Sequence, residues 1–250
     1  MDYINYLNHP IYNIFVNIFL IIPILFFSIS KRFASNKLFS FNLMISVSLN
    51  LLVLNIFVIS LIILKLDYLI NLIPFVFYTF LIKFYFSKKL FFFENLIKIK
   101  KILIEDCKQN KLILITIILL GICSQLTALD SDSFLYHLGY PFKLIQNNFS
   151  YENLSWYHLN LLSYGEINNL YGLLFKTDTF VSSLNFIFFF ILYLYVSEIC
   201  EVKSYKLKLV FFSFPIFYFF IASQKFFFVP TVIILIFISY SILIENKFKI

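Results

Sequence analysis

The sequence predicts an all-α fold, a polytopic transmembrane bundle of about seven helices with its N-terminus outside and its C-terminus inside. Three observations predict it. The 250 residues are 61% hydrophobic and only 13% charged, with a mean hydropathy of +0.90, too apolar for a chain that must cover itself with a polar surface. The apolar residues fall in long unbroken runs rather than short alternating strands, which favours helices, because backbone placed in lipid must satisfy its own N–H and C=O groups. The segments between runs alternate between basic and non-basic, as they do when each run crosses once.

The runs are Ile11–Ile29, Phe41–Leu64, Tyr68–Phe86, Leu112–Leu126, Thr179–Val196, Leu209–Ala222 and Phe226–Ile244. A bilayer core about 30 Å thick takes about 20 helical residues, so the short fourth and sixth runs either extend into their flanks, tilt, or dip in and out without crossing. Met1–Pro10 has no Lys or Arg, unlike the basic start of a signal peptide, and the first run is expected to be a retained helix. Lys31, Arg32 and Lys37 follow the first run. Lys88, Lys89, Lys98, Lys100, Lys101, Lys108 and Lys111 follow the third, Lys203, Lys206 and Lys208 the fifth, and Lys247 and Lys249 the seventh. Three-quarters of the basic residues thus mark one side, the cytoplasmic one. Lys83 lies one turn inside the third run and reads as snorkelling to the headgroups. Residues 87–111 are expected to be a basic cytoplasmic loop, able to lie on anionic lipid as an amphipathic helix. The whole chain, 1–250, is one membrane domain.

The opposite side receives Met1–Pro10, the Lys65–Asp67 turn, a long loop over residues 127–178 and the Ser223–Lys225 turn. That loop is too long for a simple connection. Asp130 and Asp132 open its polar part, two carboxylates that can grip a divalent metal ion or leave one of the pair as a base; the plainer reading makes Asp132 or Ser133 a helix N-cap. Leu135, Leu138, Phe142 and Ile145 then recur at helical spacing, with Tyr136, Tyr140 and Lys143 on another face and His137 between them. This predicts a short interfacial helix. Asn148-Phe149-Ser150 and Asn153-Leu154-Ser155 match the N-glycosylation pattern. Residues 155–172 are helical in pattern, with Trp156 and Tyr157 suited to an interfacial belt. His158, Leu162, Glu166 and Asn169 share a face, but His158 and Glu166 are about 12 Å apart along the axis and cannot hold one ion from a straight helix. Glu166 in apolar surroundings is costly unless paired or wet, which marks it as a candidate functional group.

Asp130-Ser131-Asp132-Ser133-Phe134-Leu135-Tyr136-His137-Leu138-Gly139-Tyr140-Pro141, followed by Gly165-Glu166-Ile167-Asn168-Asn169-Leu170, resembles the acidic outer loop of the bacterial multi-spanning glycosyltransferases of the C-type (GT-C-like) fold. The likeness is concentrated in residues 125–230. It implies a protein of the bacterial inner membrane that transfers a sugar from a polyprenyl-phosphate donor to a glycan, lipid or protein acceptor at the non-cytoplasmic face. It also implies Asp132 and Asp130 as catalytic or metal-holding residues. His137, Lys143, His158 and Glu166 would face the substrate, and Lys225, by topology and charge, would neutralise donor phosphate. Four apolar runs precede the loop here, three more than in the many members whose acidic loop follows the first helix, and such enzymes commonly have more helices and a C-terminal region, so the chain is expected to be a shortened member or one part of a larger membrane assembly.

Two rival readings stand beside it. A transporter or flippase would carry ionisable residues midway along several helices or show two related halves, and a non-catalytic membrane subunit would keep the fold and tolerate loss of Asp130 or Asp132. Nucleic-acid binding is disfavoured although the net charge is +7, because the basic residues flank apolar runs instead of forming a mixed polar surface. Cys107, Cys123 and Cys200 form no disulfide framework, and with four glycines and no phosphate-loop, dinucleotide or zinc-protease motif, those chemistries are not expected.

Overall fold

The computed structural model describes residues 10–29, 38–109, 111–126, 137–147, 164–199, 219, 221–226 and 228–248. Among them every long element is helical: α1 (Pro10–Ile29), α2 (Phe39–Ile63), a 3-10 segment (Asp67–Leu72), α3 (Ile73–Gln109), α4 (Lys111–Cys123), α5 (Gly139–Gln146), α6 (Tyr164–Leu174), α7 (Phe180–Ile199) and α8 (Phe228–Phe248). Three stretches are long and apolar enough to cross a membrane, Ile11–Ile29, Phe39–Ile63 and Phe180–Ile199, while Lys111–Cys123 and Phe228–Ile244 are shorter apolar helices. The sixth run lies largely outside the described residues.

The helices turn apolar faces both inward and outward. On α2, Met44, Val47, Leu51, Leu54 and Val58 are buried at alternating spacings of three and four, and Leu49, Leu52, Val53, Ile56, Phe57 and Ile63 are exposed on the other side. A soluble helix would place polar residues on that second face. Ile11, Ile14, Phe15, Ile18 and Ile22 form a similar exposed stripe on α1. Such stripes suit a helix whose solvent is lipid. At the centre stands α7, packed against α2, α3, α4, α6 and α8, with Leu184, Phe188, Phe189, Leu192 and Leu194 buried.

The basic segment 87–111 departs from the loop expected there. Ile73–Gln109 is a single helix of 37 residues, about 55 Å long. It contains no glycine, and Pro74 sits in its first turn, where a missing N–H costs little. Its inner half is packed on the bundle. Asn95 Nδ2 donates to the Ile29 carbonyl over 2.6 Å, closing the end of α1. The buried Asp106 carboxylate accepts from the Tyr193 and Ser197 hydroxyls, each at 2.7 Å. Lys98 Nζ stands 5.8 Å from the Phe39 ring centroid. Beside it Glu198 of α7 accepts from the Phe39 and Ser40 amides at 3.2 and 2.8 Å and from the Ser40 hydroxyl. Leu38 offers no capping side chain, so a carboxylate from another helix satisfies the first amides of α2 and complements its dipole. The end of α1, the start of α2, the inner half of α3 and the end of α7 therefore meet at one end of the bundle.

Candidate functional site

The other end gathers the start of α1, the end of α4, helices α5 and α6, the start of α7 and the turn before α8. Helices α5 and α6 are too short to be stable alone; they are held together by Leu138, Phe142 and Leu173, with Ile145 against them. Glu166 is seven residues before Leu173 and so lies on the same face of α6, and His137 immediately precedes Leu138. Packing those leucines together brings His137 Nδ1 to 2.7 Å from Glu166 Oε1, with the side chains 19% and 9% exposed. With Glu166 ionised the carboxylate can only accept, and Nδ1 is then the donor of this bond. The pair is partly exposed, and an imidazole oriented by a carboxylate is an arrangement suited to taking a proton from a hydroxyl group.

One helical turn after Glu166, Asn169 Nδ2 donates to the Gln224 carbonyl over 3.0 Å. Asn185 of α7 donates to the carbonyls of Ser223 and Lys225 at 3.1 and 3.0 Å, and the Lys225 amide donates to the Ser223 hydroxyl at 3.0 Å. The turn carrying Lys225 is thus pinned between α6 and α7, close to the His137–Glu166 pair, with Lys225 half-buried.

Between α6 and α7 the chain turns sharply. The Thr177 amide donates to the Gly172 carbonyl at 3.1 Å and the Lys176 amide to the Leu173 carbonyl at 2.8 Å, with Lys176 at φ 59°. This is a Schellman ending with Lys where glycine is usual. The same motif ends α2, where the Leu66 and Lys65 amides reach the Leu61 and Ile62 carbonyls at 2.8 and 3.0 Å and Lys65 has φ 57°. Gly172 is required for a different reason: a Cβ there would stand 2.7 Å from the Phe180 Cβ and 3.1 Å from the Thr177 carbonyl oxygen.

The turn drives Thr177, Asp178 and Thr179 into the start of α1. Asn17 Nδ2 donates to the Thr179 hydroxyl at 2.7 Å and to Gln125 Oε1 at 2.9 Å, while the Thr177 hydroxyl donates to Asn17 Oδ1 at 3.1 Å. Gln125 Nε2 reaches the Ser183 hydroxyl at 2.9 Å, and the Ser182 hydroxyl donates to the Ser124 carbonyl at 2.6 Å. Asn13 Nδ2 donates to Asp178 Oδ1 at 3.3 Å. Burial pushes the Asp178 carboxyl up to about 6, a backbone hydrogen bond pulling the other way.

Of the residues singled out in the sequence, His137 and Glu166 are brought together, and the turn carrying Lys225 is tied to α6 one helical turn from Glu166. Lys143 is exposed on α5, flanked by buried Phe142 and Leu144. Asp130, Asp132 and His158 lie outside the described residues, and so does the metal expected at the aspartate pair. Among the described residues no three His, Cys, Asp or Glu side chains converge as a metal site. Asn13, Asn17 and Asp178 were not singled out. Their signal is two amides at i and i+4 in an otherwise apolar run, which marks a polar face without naming its partner. No protein-family model, curated protein or solved structure matches the chain.

Proposed function

We propose that this chain is a membrane-embedded glycosyltransferase-like enzyme that moves a sugar from a polyprenyl-phosphate donor to an acceptor hydroxyl at the non-cytoplasmic face. The observation that carries the proposal is the 2.7 Å contact between His137 and Glu166, a base and its orienting carboxylate from two short helices at the end of the bundle remote from the packed, lysine-rich half of α3. In the reaction His137 Nε2 accepts the proton of the acceptor hydroxyl as its oxygen bonds to the anomeric carbon, and the bond from that carbon to phosphate oxygen breaks. The leaving polyprenyl phosphate gains negative charge, and Lys225, on the turn tied to α6, is assigned to offset it. Glu166 positions the ring, as in other imidazole–carboxylate pairs.

Asp132 is five residues before His137, within about 18 Å by chain reach alone. Asp130 and Asp132 keep the roles that the resemblance implies, as an alternative base or the holders of a divalent ion on the phosphate. In this reading the bundle crosses about seven times, with α3, α4, α8 and the sixth run adding to the three long apolar helices, and the polyprenyl tail lies along the exposed apolar stripes. Against a transporter stands the lack of any Asp, Glu, Lys or Arg in α1 and α2, and the confinement of such residues in α7 to Glu198 in its last turn.

The test is transfer of labelled sugar from a polyprenyl-phosphate donor pool in membranes expressing the chain. Glu166→Gln should cut transfer by about 100-fold or more and His137→Ala by at least as much, at matched levels of inserted protein. Transfer unchanged in both variants would remove the pair from the mechanism. Loss only in Asp132→Asn would move the base to the aspartate.

A further inference from the structure

We propose that Asn13 and Asp178 form a binding site for a monovalent alkali cation, at the same end of the bundle as the His137–Glu166 pair and separate from it. Both side chains are buried, with Asn13 1% and Asp178 2% exposed. Their one mutual contact, Asn13 Nδ2 to Asp178 Oδ1, comes from the one donor group on the two side chains, the amide NH2 of Asn13. It leaves Asn13 Oδ1 and Asp178 Oδ2 buried, with no hydrogen-bond donor on either. Buried polar atoms in folded proteins are nearly always satisfied, and those that are not point to an ion or a water. Here both orphaned atoms are oxygens and acceptors, so what satisfies them is a cation or a donor.

Charge selects between these. An ionised carboxylate in a dry site needs its charge offset as well as its lone pairs filled. Among the described residues no ion pair includes Asp178, and Lys176, two residues away, is exposed. A water would fill the lone pairs and leave the charge. A divalent ion would overcompensate, since the site holds one carboxylate and otherwise neutral amides and hydroxyls. A monovalent ion gives neutrality, and carboxylate and amide oxygens are the hard donors that such ions take.

The surroundings are built to hold the two oxygens in place. Asn17, one turn from Asn13, is tied to both threonines that flank Asp178, and Gln125 ties the same amide to α4 and α7. A bound ion would therefore join the start of α1 to the turn between α6 and α7 and stabilise the folded chain in proportion to its occupancy.

The experiment uses the full chain purified in detergent at pH 7.5 and follows its apparent Tm. Choline chloride is replaced stepwise by NaCl, KCl or LiCl at constant ionic strength. The expected result is a saturable rise with at least one alkali ion that Asp178→Asn abolishes. Where Asp178→Asn fails to fold, Asn13→Leu carries the test, and the midpoint for the ion should move up by about tenfold or more. The same Tm in choline and in every alkali salt would overturn the proposal in favour of a bound water or a proton, and a saturable rise that survives Asp178→Asn or Asn13→Leu unchanged would place the ion elsewhere. Sugar transfer does not enter the readout, so the outcome is independent of the proposed enzymatic role.

Discussion

With the alkali site unfilled, replacing Asp178 by Asn should stabilise the protein at neutral pH and remove a component of its pH dependence. The carboxyl is raised by burial from 3.8 to about 6. At about 1.4 kcal/mol per pKa unit, that shift is a stability difference of about 3 kcal/mol. Because the folded value lies above the unfolded one, the folded state holds the proton more tightly. The contribution is present in full below about pH 4, is lost as pH rises through about 6, and stays lost above that. This is the reverse of the usual paired aspartate, whose stabilisation is lost in acid. Asn is neutral throughout and brings a donor to a cluster rich in acceptors, so the variant should keep at pH 7.5 what the parent has only in acid. With about 2–4 °C of Tm per kcal/mol for a chain of this size, the parent should lose roughly 6–12 °C more than Asp178→Asn between pH 4 and pH 8. The assay is apparent Tm in detergent with choline as the only monovalent cation, which leaves the alkali site unfilled. Other groups titrate in the same range, and the difference between the two profiles is therefore the readout. Parallel profiles, or a parent that gains relative to the variant as pH rises, would refute the argument that Asp178 is desolvated and uncompensated.

Lys65→Gly and Lys176→Gly should each raise stability by about 1 kcal/mol, because both positions hold a left-handed backbone that costs a non-glycine residue about that much; thermal unfolding checks this, and a loss in either would show that the lysine side chain outweighs the strain. Gly172→Ala should destabilise by about 1–3 kcal/mol, since its Cβ would overlap Phe180 and push apart the α6–α7 turn; an unchanged Tm would mean that the turn shifts freely. In a background without the native cysteines, single cysteines at Lys101 and Lys225 should react with a membrane-impermeant thiol reagent from opposite faces of sealed vesicles, and reaction from one face would refute the assignment of the two ends.

The physics of lipid was legible in the sequence and the physics of the polar end only in part. Runs such as Ile11–Ile29 and Thr179–Val196 agree closely with α1 and α7, because length and apolarity are local properties that one segment carries by itself. The lysine pattern was a sound guide to where apolar chain gives way to basic chain but a poor one to where a helix ends. Lysine is among the better helix formers, and with neither glycine nor an interior proline between Phe75 and Gln109, α3 runs on through Lys88–Lys108 to reach Tyr193 and Ser197 through Asp106. His137 and Glu166 were each visible as polar groups in an apolar setting. Their partnership was not, for they are 29 residues apart, and it depends on Leu138, Phe142 and Leu173 packing together.

The contact between Asn13 and Asp178 spans 165 residues, and no periodicity connects them. The physical reason such pairs escape a sequence reading also explains why they matter. An amide in an apolar run stays there at a cost unless the fold supplies a partner, so Asn13 and Asn17 in α1 and Ser182, Ser183 and Asn185 in α7 required a polar surface to meet one another. That surface is the same end of the bundle to which the long loop, the Lys225 turn and the His137–Glu166 pair belong. At the opposite end Asn95, Asp106 and Glu198 complete helix ends or bridge side chains across α1, α2, α3 and α7. At the first end, among the described residues, the Asp178 carboxylate and the Asn13 amide remain buried with acceptor oxygens to spare, and the partly exposed His137–Glu166 pair stands there as well. The pairing of an imidazole with a carboxylate at one end, and the helix-capping and bridging carboxylates at the other, are what assign chemistry to the first and scaffolding to the second.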